Sequence, residues 1–234
     1  MAWNFADQIH ALTGFDADST SDSETDEDFN LLANQWLVDA AKEVINILPP
    51  KLKMKCVKIT ALTSSTPMDL DSAGEILHAT RENADSGYHI GCREINPIYG
   101  GSADDSSSLH YVTATDPVYW VESDTGGDPK LFVKPTPTSN QPARIHHVAY
   151  PPNSTTWDGS NLPGASTSIS NFPDEAEYLV PLRAAITAAE YLLAIEEDVE
   201  LYAPILATLK TQYQEGVLAL QTGSIIPQQK GARQ

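Results

Sequence analysis

The sequence predicts an α+β fold in which helices at the two ends bracket a β-rich, loop-rich middle. Three observations carry this. Apolar residues recur every three or four positions up to Ile47 and again after Asn171. From Lys55 to about Asn153 that period gives way to short segments separated by Gly and Pro turns. From Ser224 onward no period remains.

The first helix is short. Phe5, Ile9 and Leu12 share one face and Gly14 ends it, with Trp3 just ahead. An acidic, Ser-rich stretch from Asp16 to Asp28 follows, with seven acidic residues and no basic one. Thr25 and Asp28 have the spacing of a capping box, and negative charge favours a helix N-terminus. The second helix is set by Phe29, Leu32, Trp36, Ala40, Val44 and Ile47, and Pro49-Pro50 stops it.

In the middle, strand-like segments are expected at Val57 to Leu62, Tyr88 to Glu94, Leu109 to Thr113, Val118 to Glu122, Lys130 to Lys134 and Arg144 to Tyr150. Turn signals separate them, among them Asn96-Pro97, Gly100-Gly101, Asp116-Pro117 and Pro135-Thr136-Pro137. Val118 to Glu122 and Leu131 to Lys134 flank Gly126-Gly127, which reads as a β-hairpin. The set suggests a small antiparallel sheet or barrel. Ser72 and Glu75 have capping-box spacing ahead of Ile76 and Leu77, which predicts one short helical turn between Ser72 and Arg81.

Residues 153–170 are rich in Ser, Thr, Asn, Gly and Pro and read as a loop. Asn171 then looks like an N-cap, with Pro173 and Asp174 in the first turn. The helix continues through Leu179, Leu182, Ile186, Ala189 and Leu193. Pro181 removes the hydrogen bond to the Glu177 carbonyl and predicts a kink. A break near Glu197-Asp198 leads to a last helix on Tyr202, Ile205, Leu209, Tyr213, Val217 and Leu220, with Pro204 in its first turn and Gly223 at its end. Two helices so close in sequence should pack antiparallel.

Composition narrows the function classes. With 32 acidic and 14 basic residues the net charge is -18, which repels a phosphate backbone and leaves no basic stripe for tight DNA or RNA binding. No apolar run approaches the ~18 residues of a membrane span. The first residues, Met1 to Asp7, lack the basic and apolar regions of a secretory signal, so the chain is expected to stay in the cytoplasm where it is made. Cys56 and Cys92 are too few for a disulfide framework and read as free thiols, with a single bridge as the alternative.

A search for chemistry finds none, and no cofactor or metal is expected. His89 and Cys92 are spaced like half a metal site, but no matching half exists. The helical zinc motif, the Gly-rich phosphate loop and the nucleophile elbow are all missing. His146 and His147 share a strand and should face opposite ways. The carboxylates cluster between Asp16 and Asp28 and between Asp174 and Glu200, which reads as solvated surface. Tyr119, Trp120 and Phe132 read as sheet core or as a contact with a neighbouring subunit. The segment from Ser224 to Gln234 is either a frayed end or an arm. As an arm, Ile225, Ile226 and Pro227 would fill an apolar groove on a partner, and Lys230 and Arg233 would meet acidic groups there. A chain without a catalytic site reads as a subunit of a larger assembly and not as an enzyme.

The order of three stretches adds to this. Trp36-Leu-Val-Asp-Ala-Ala-Lys-Glu-Val-Ile-Asn-Ile-Leu-Pro comes first, then Thr115-Asp-Pro-Val-Tyr-Trp-Val through Leu131-Phe-Val-Lys-Pro-Thr-Pro-Thr. Ser170-Asn-Phe-Pro-Asp-Glu-Ala-Glu-Tyr-Leu-Val-Pro-Leu-Arg-Ala-Ala is third. In this order the chain resembles the head-to-tail connector, or neck adaptor, proteins of tailed double-stranded DNA bacteriophages. The stretches are packing and turn motifs, not a catalytic signature. The resemblance implies a helical bundle from residues 1–54 and 171–222, a β-rich antiparallel insertion over 55–170 and an extended C-terminal arm over 223–234. It further implies a virion neck protein that forms a homo-oligomeric ring, a dodecamer, docked through the arm on the portal protein. Such a ring extends the channel through which viral DNA passes without specific binding, and it recruits the next neck or tail protein, a terminator. No membrane is involved. The long acidic linker before the second helix departs from the pattern. Other readings are a terminator or tube component, and a glycan- or receptor-binding module built on the β insertion.

Overall fold

A computed structural model describes residues 3–14, 25–70, 73–83, 87–151, 157–158, 161–195 and 199–222, the side chains of 25–31 and 199 excepted. The protein is α+β. It divides into two compact units, Met1–Cys56 with Pro151–Gln234, and Val57–Tyr150.

The first unit is helical. α1 (Phe5–Thr13) starts where the Asn4 Oδ1 accepts the Asp7 N–H at 2.7 Å, and it ends on Gly14 at φ +71°. α2 (Thr25–Ile47) is followed by the single turn α3 (Pro50–Lys53), so Pro50 stops one helix and opens the next. The buried stripe of α2 is Ala33, Leu37, Val38, Ala40, Ala41, Val44 and Ile45, with Leu48 just past its end. The expected Ala40 and Val44 lie on it, and the stripe widens toward the following residues Leu37, Ala41 and Ile45. Leu32, Trp36 and Ile47 lie at its flank, where Trp36 packs on Tyr191 at 5.5 Å between ring centroids.

The expected helix N-cap at Asn171 is corrected. Asn171 is left-handed at φ +56°, a conformation its short polar side chain tolerates. Helix α4 (Asp174–Glu177) begins after Pro173, and α5 (Leu179–Ile195) begins after an interruption at Tyr178. The N–H that Pro181 lacks therefore belongs to the first turn of α5, where no intrahelical partner is needed. Pro204 is also displaced. It lies inside α6 (Val199–Thr222), beyond the first turn. The expected break at Glu197-Asp198 and the end at Gly223 lie outside the described residues.

Helix α5 packs against α1, α2 and α6. The stretch Asp174–Ile195, which runs through α4 and α5, is long and apolar enough by composition to cross a membrane. In this fold that apolar surface meets three other helices. Gly216 of α6 lies against Leu179 at the start of α5, while Lys210 pairs with Glu190 further along at 2.8 Å. The two helices therefore run antiparallel.

The loop before α4 belongs with the helices, which moves the expected boundary from residue 170 to residue 150. The cause is local. Phe5 N–H donates to the Ser166 carbonyl at 3.0 Å and Ala6 N–H to the Gly164 carbonyl at 2.9 Å. Gly164 N–H in turn donates to Asn34 Oδ1 at 2.7 Å. Trp157, 2% exposed, meets Phe5 edge-on at 5.9 Å.

The second unit holds two four-stranded sheets. The first has the order β1 (Val57–Leu62), β8 (Ala143–Ala149), β3 (Ala73–Glu82), β4 (His89–Gly91). The second has the order β2 (Met68–Asp69), β7 (Pro129–Lys134), β6 (Val118–Ser123), β5 (Arg93–Glu94). The helical turn expected between Ser72 and Arg81 is instead β3, because pairing with β8 and β4 outweighs the local capping signal. The strand expected at Leu109 to Thr113 is absent. That segment is loop, with Leu109 fully exposed and only an isolated bridge from Thr113 to Asp116. The sheets are antiparallel except for the β5–β6 pair, which is parallel and needs a long crossover over residues 95–117. The β6–β7 hairpin turns at Gly127, whose φ of +93° suits glycine.

Candidate partner-binding surface

The residues expected to form the docking arm, Ile225, Ile226, Pro227, Lys230 and Arg233, lie outside the described residues, as does the acidic stretch 16–24. The structure does describe α6, the helix that precedes them in the chain. Helix α6 buries Tyr202, Leu209 and Gly216, one residue every seven, and leaves much of its remaining surface open. Over its last turns it lies beside the end of α2 and forms a groove of about 270 Å³ with Ile47, Tyr213, Val217 and Leu218 on its walls.

The floor of that groove is fixed by an ionic network. Glu43 accepts from Arg183 Nε at 2.8 Å and from Tyr213 Oη at 3.1 Å. Arg183 Nη1 also donates to Thr187 Oγ1 at 2.9 Å. Burial, reinforced by the Glu43 charge, pushes the Tyr213 phenol well above its ordinary range, so it stays a donor. The network ties α2, α5 and α6 together at the groove. Its residues stand apart in sequence, and only the apolar spacing of α6 pointed toward them.

The second carboxylate cluster is only partly solvated surface. Glu175 pairs with Lys55 at 2.7 Å and Glu190 with Lys210. Glu177 turns inward, accepts the Ile169 N–H, and has its pKa raised by burial.

In the β unit the candidate residues are engaged in packing. Trp120, 5% exposed, stacks on Phe132 at 5.4 Å, and its indole Nε1 donates to Glu122. A Cβ at Gly100 would come within 2.6 Å of that indole, so the 97–102 turn needs glycine there. Tyr119 is also buried and donates to Glu94 at 3.2 Å. Tyr119 and Trp120 are core, and Phe132 is half-buried against them.

The histidines divide as a strand requires. His147 is buried, and its Nε2 lies 3.1 Å from Thr60 Oγ1. His146 sits on the opposite face, stacked on His78 at 4.0 Å. Burial lowers the pKa of both. Stacked rings hold their in-plane lone pairs parallel, so His78 and His146 do not converge on one ion. His89 sits 3.8 Å from Glu82 and 3.4 Å from Thr80. No group of three or more His, Cys, Asp or Glu side chains comes together as a metal set among the described residues. Both thiols are free, and burial raises Cys56 to about 11 and Cys92 to about 12.

One surface feature lay hidden in the sequence. Ile98, Tyr99, Leu109 and Tyr111 are exposed along residues 97–112. A bond from Val112 N–H to the Ala103 carbonyl and a Tyr99–His110 stack at 4.0 Å hold this segment together. The sequence offered a strand at Leu109 to Thr113 there, and gave no sign that these side chains face outward. Comparison with family models and with curated proteins finds no match to this chain.

Proposed function

We propose that the protein is a structural component of a bacteriophage virion, a head-to-tail connector that works by contact and not as an enzyme. In this reading the helical unit is a bundle from both chain ends that forms a dodecameric ring, and the β unit is an insertion. The segment 223–234 is an arm that docks on the portal protein. The ring extends the DNA channel and offers a platform to the next neck or tail component.

One observation carries the reading. Both ends of the chain contribute to a single helical unit, while the β unit is one uninterrupted stretch between them. This is the segment order that the resemblance implies. Charge supports it as well. A net charge of -18 favours passage of DNA over its retention, since like charge raises no trap along a channel. Subunits of a ring meet head-to-tail, which closes when the rotation between them allows.

Electron microscopy of virions containing the labelled protein tests this. A twelvefold ring at the portal is expected. A sixfold ring on the tail side would point to a terminator, and no ring at the neck would overturn the connector reading. Deleting Ser224 to Gln234 should leave a folded monomer that no longer docks on the portal. Unchanged affinity of the truncated protein would remove the arm from the reading.

A further inference from the structure

We propose that the outer face of the first sheet, around Arg144, His78 and His146, receives the acidic β6–β7 hairpin tip of a second copy of this chain. The choice of a second copy rests on the ring reading, because a ring needs contacts between copies.

The face follows from register. Ala143 and Ile145 of β8 belong to the core cluster shared with the second sheet, so Arg144 and His146 between and beyond them point outward. On β3, His78 pairs with His146 and Thr80 with Arg144. On β1, Ile59 pairs with His146, and β4 brings His89 opposite Glu82. His78 and Arg144 are exposed, as is Ile59 at 55%. The charged and titratable groups of this face are therefore Arg144 and His146 from β8, His78 and Glu82 from β3, and His89 from β4. From β1 there is none, since Lys58 pairs with His147 on the opposite face. Glu75, in the irregular stretch between Ala73 and Ile76, is outside this register. Glu82 lies 3.8 Å from His89, and no carboxylate pairs with Arg144 among the described residues. A chain with 32 acidic and 14 basic residues thus leaves a guanidinium and a stacked histidine pair uncovered on one face.

The hairpin tip carries the complement. Residues 121–129 are all exposed. Lys130, the cation beside the tip, is drawn to Asp69 at 2.8 Å and to Asp124 at 3.8 Å. Glu122 and Asp128 are without an ion pair among the described residues. Two copies of net charge -18 repel, so contact is favoured where the charge of one surface is locally reversed. The cationic face against the acidic tip meets that condition. Face and tip are different parts of the β unit, so the contact is head-to-tail, the kind that closes into a ring.

Protons are linked to it. Burial holds the His146 pKa below its ordinary range, and the charges of His78, Arg144 and His89 push the same way. Carboxylates set against the face oppose that push. The His146 pKa is then higher in the bound state than in the free one, so association strengthens as pH falls through that interval.

Sedimentation velocity of the full chain at rising concentration tests the contact. The parent should associate. Arg144→Glu alone, or Glu122→Lys with Asp128→Lys, should weaken association about tenfold or more. An equimolar mixture of the two variants should restore it, because each reversed surface then meets its complement on the other chain. Asp128→Lys alone keeps the Trp120–Glu122 bond and should give a smaller loss in the same direction. His146→Gln should remove the strengthening at acid pH, about tenfold for each unit by which association raises the His146 pKa. An association that both reversals leave unchanged, or a mixture that does not restore it, overturns the contact. A monomeric parent also overturns it, and polyglutamate binding lost in Arg144→Glu would then assign the face to another acidic partner. The connector reading fails separately. A neck ring in virions carrying Arg144→Glu would remove this contact and keep the connector, whereas association through this contact in a protein absent from the neck would do the reverse.

Discussion

In the helical unit one element carries the core, whereas in the β unit the core is divided. Helix α5 has ten buried residues and meets α1, α2 and α6. Removing volume there affects every neighbour at once. The β unit has one cluster around Tyr119, Leu131, Val133 and Ile145 and a smaller one around Val118 and Trp120. It adds a buried polar centre. Arg81, 3% exposed, donates to the carbonyls of Pro135 at 2.9 Å and Glu82 at 3.2 Å, and to Gln141 Oε1 at 2.8 Å. One unit is held by apolar packing around a central helix. The other relies on sheet pairing and on a cation that ties loop carbonyls together.

The largest effect that sharpens this contrast is expected at Leu179, fully buried at the start of α5. Leu179→Ala should cost about 2–5 kcal/mol, because the cavity opens where Gly216 packs closest. Chemical denaturation followed by helical circular dichroism measures it. A loss below about 1 kcal/mol would mean that α5 is not the keystone of its unit.

A smaller effect is expected at Arg81. Arg81→Met keeps much of the side-chain volume but leaves the Pro135 and Gln141 acceptors without this donor, a cost of about 1–3 kcal/mol. Amide exchange should rise over residues 135–141 and stay unchanged in α5. Equal acceleration in both units would break the distinction between them.

The smallest effect concerns pH. His147 is buried, and its pKa is lowered by desolvation, opposed by a bond to the Val148 carbonyl. The folded pKa lies below the unfolded value of 6.5, so the unfolded chain binds the proton more readily. The contribution of His147 is therefore intact above pH 6.5 and is lost as pH falls through its folded pKa. His146 acts in the same direction from the other face of the strand, with His78, Arg144 and His89 nearby. The β unit should lose stability as pH falls below about 6.5, and His147→Gln should flatten that slope. A parent protein whose denaturation midpoint stays constant over this range would show that these histidines are not protonation-linked to folding.

Much of the architecture was legible in local pattern. Phe5, Ile9 and Gly14 define α1, because a face of nine residues is followed at once by its stop. The β6–β7 hairpin reads from its turn glycines and flanking β-formers for the same reason. The candidate site was legible only as a composition. Ile225 to Arg233 stand out as apolar and then basic, but the groove at the base of that segment is built by Ile47 and Tyr213, far apart in sequence.

By itself the sequence determined that the two ends are helical, where the β6–β7 hairpin turns, and the excess of negative charge. Tertiary structure decided the rest. It made β3 a strand against its capping signal, since its hydrogen bonds are met by Ile145 and His147 some seventy residues away. It assigned the loop with Trp157 to the helices, because Phe5 and Ala6 at the open end of α1 needed carbonyl partners. It widened the buried face of α2 to take in Leu37 and buried Arg81. Each of these depends on a partner distant in sequence, and local periodicity holds no record of which partner a residue meets.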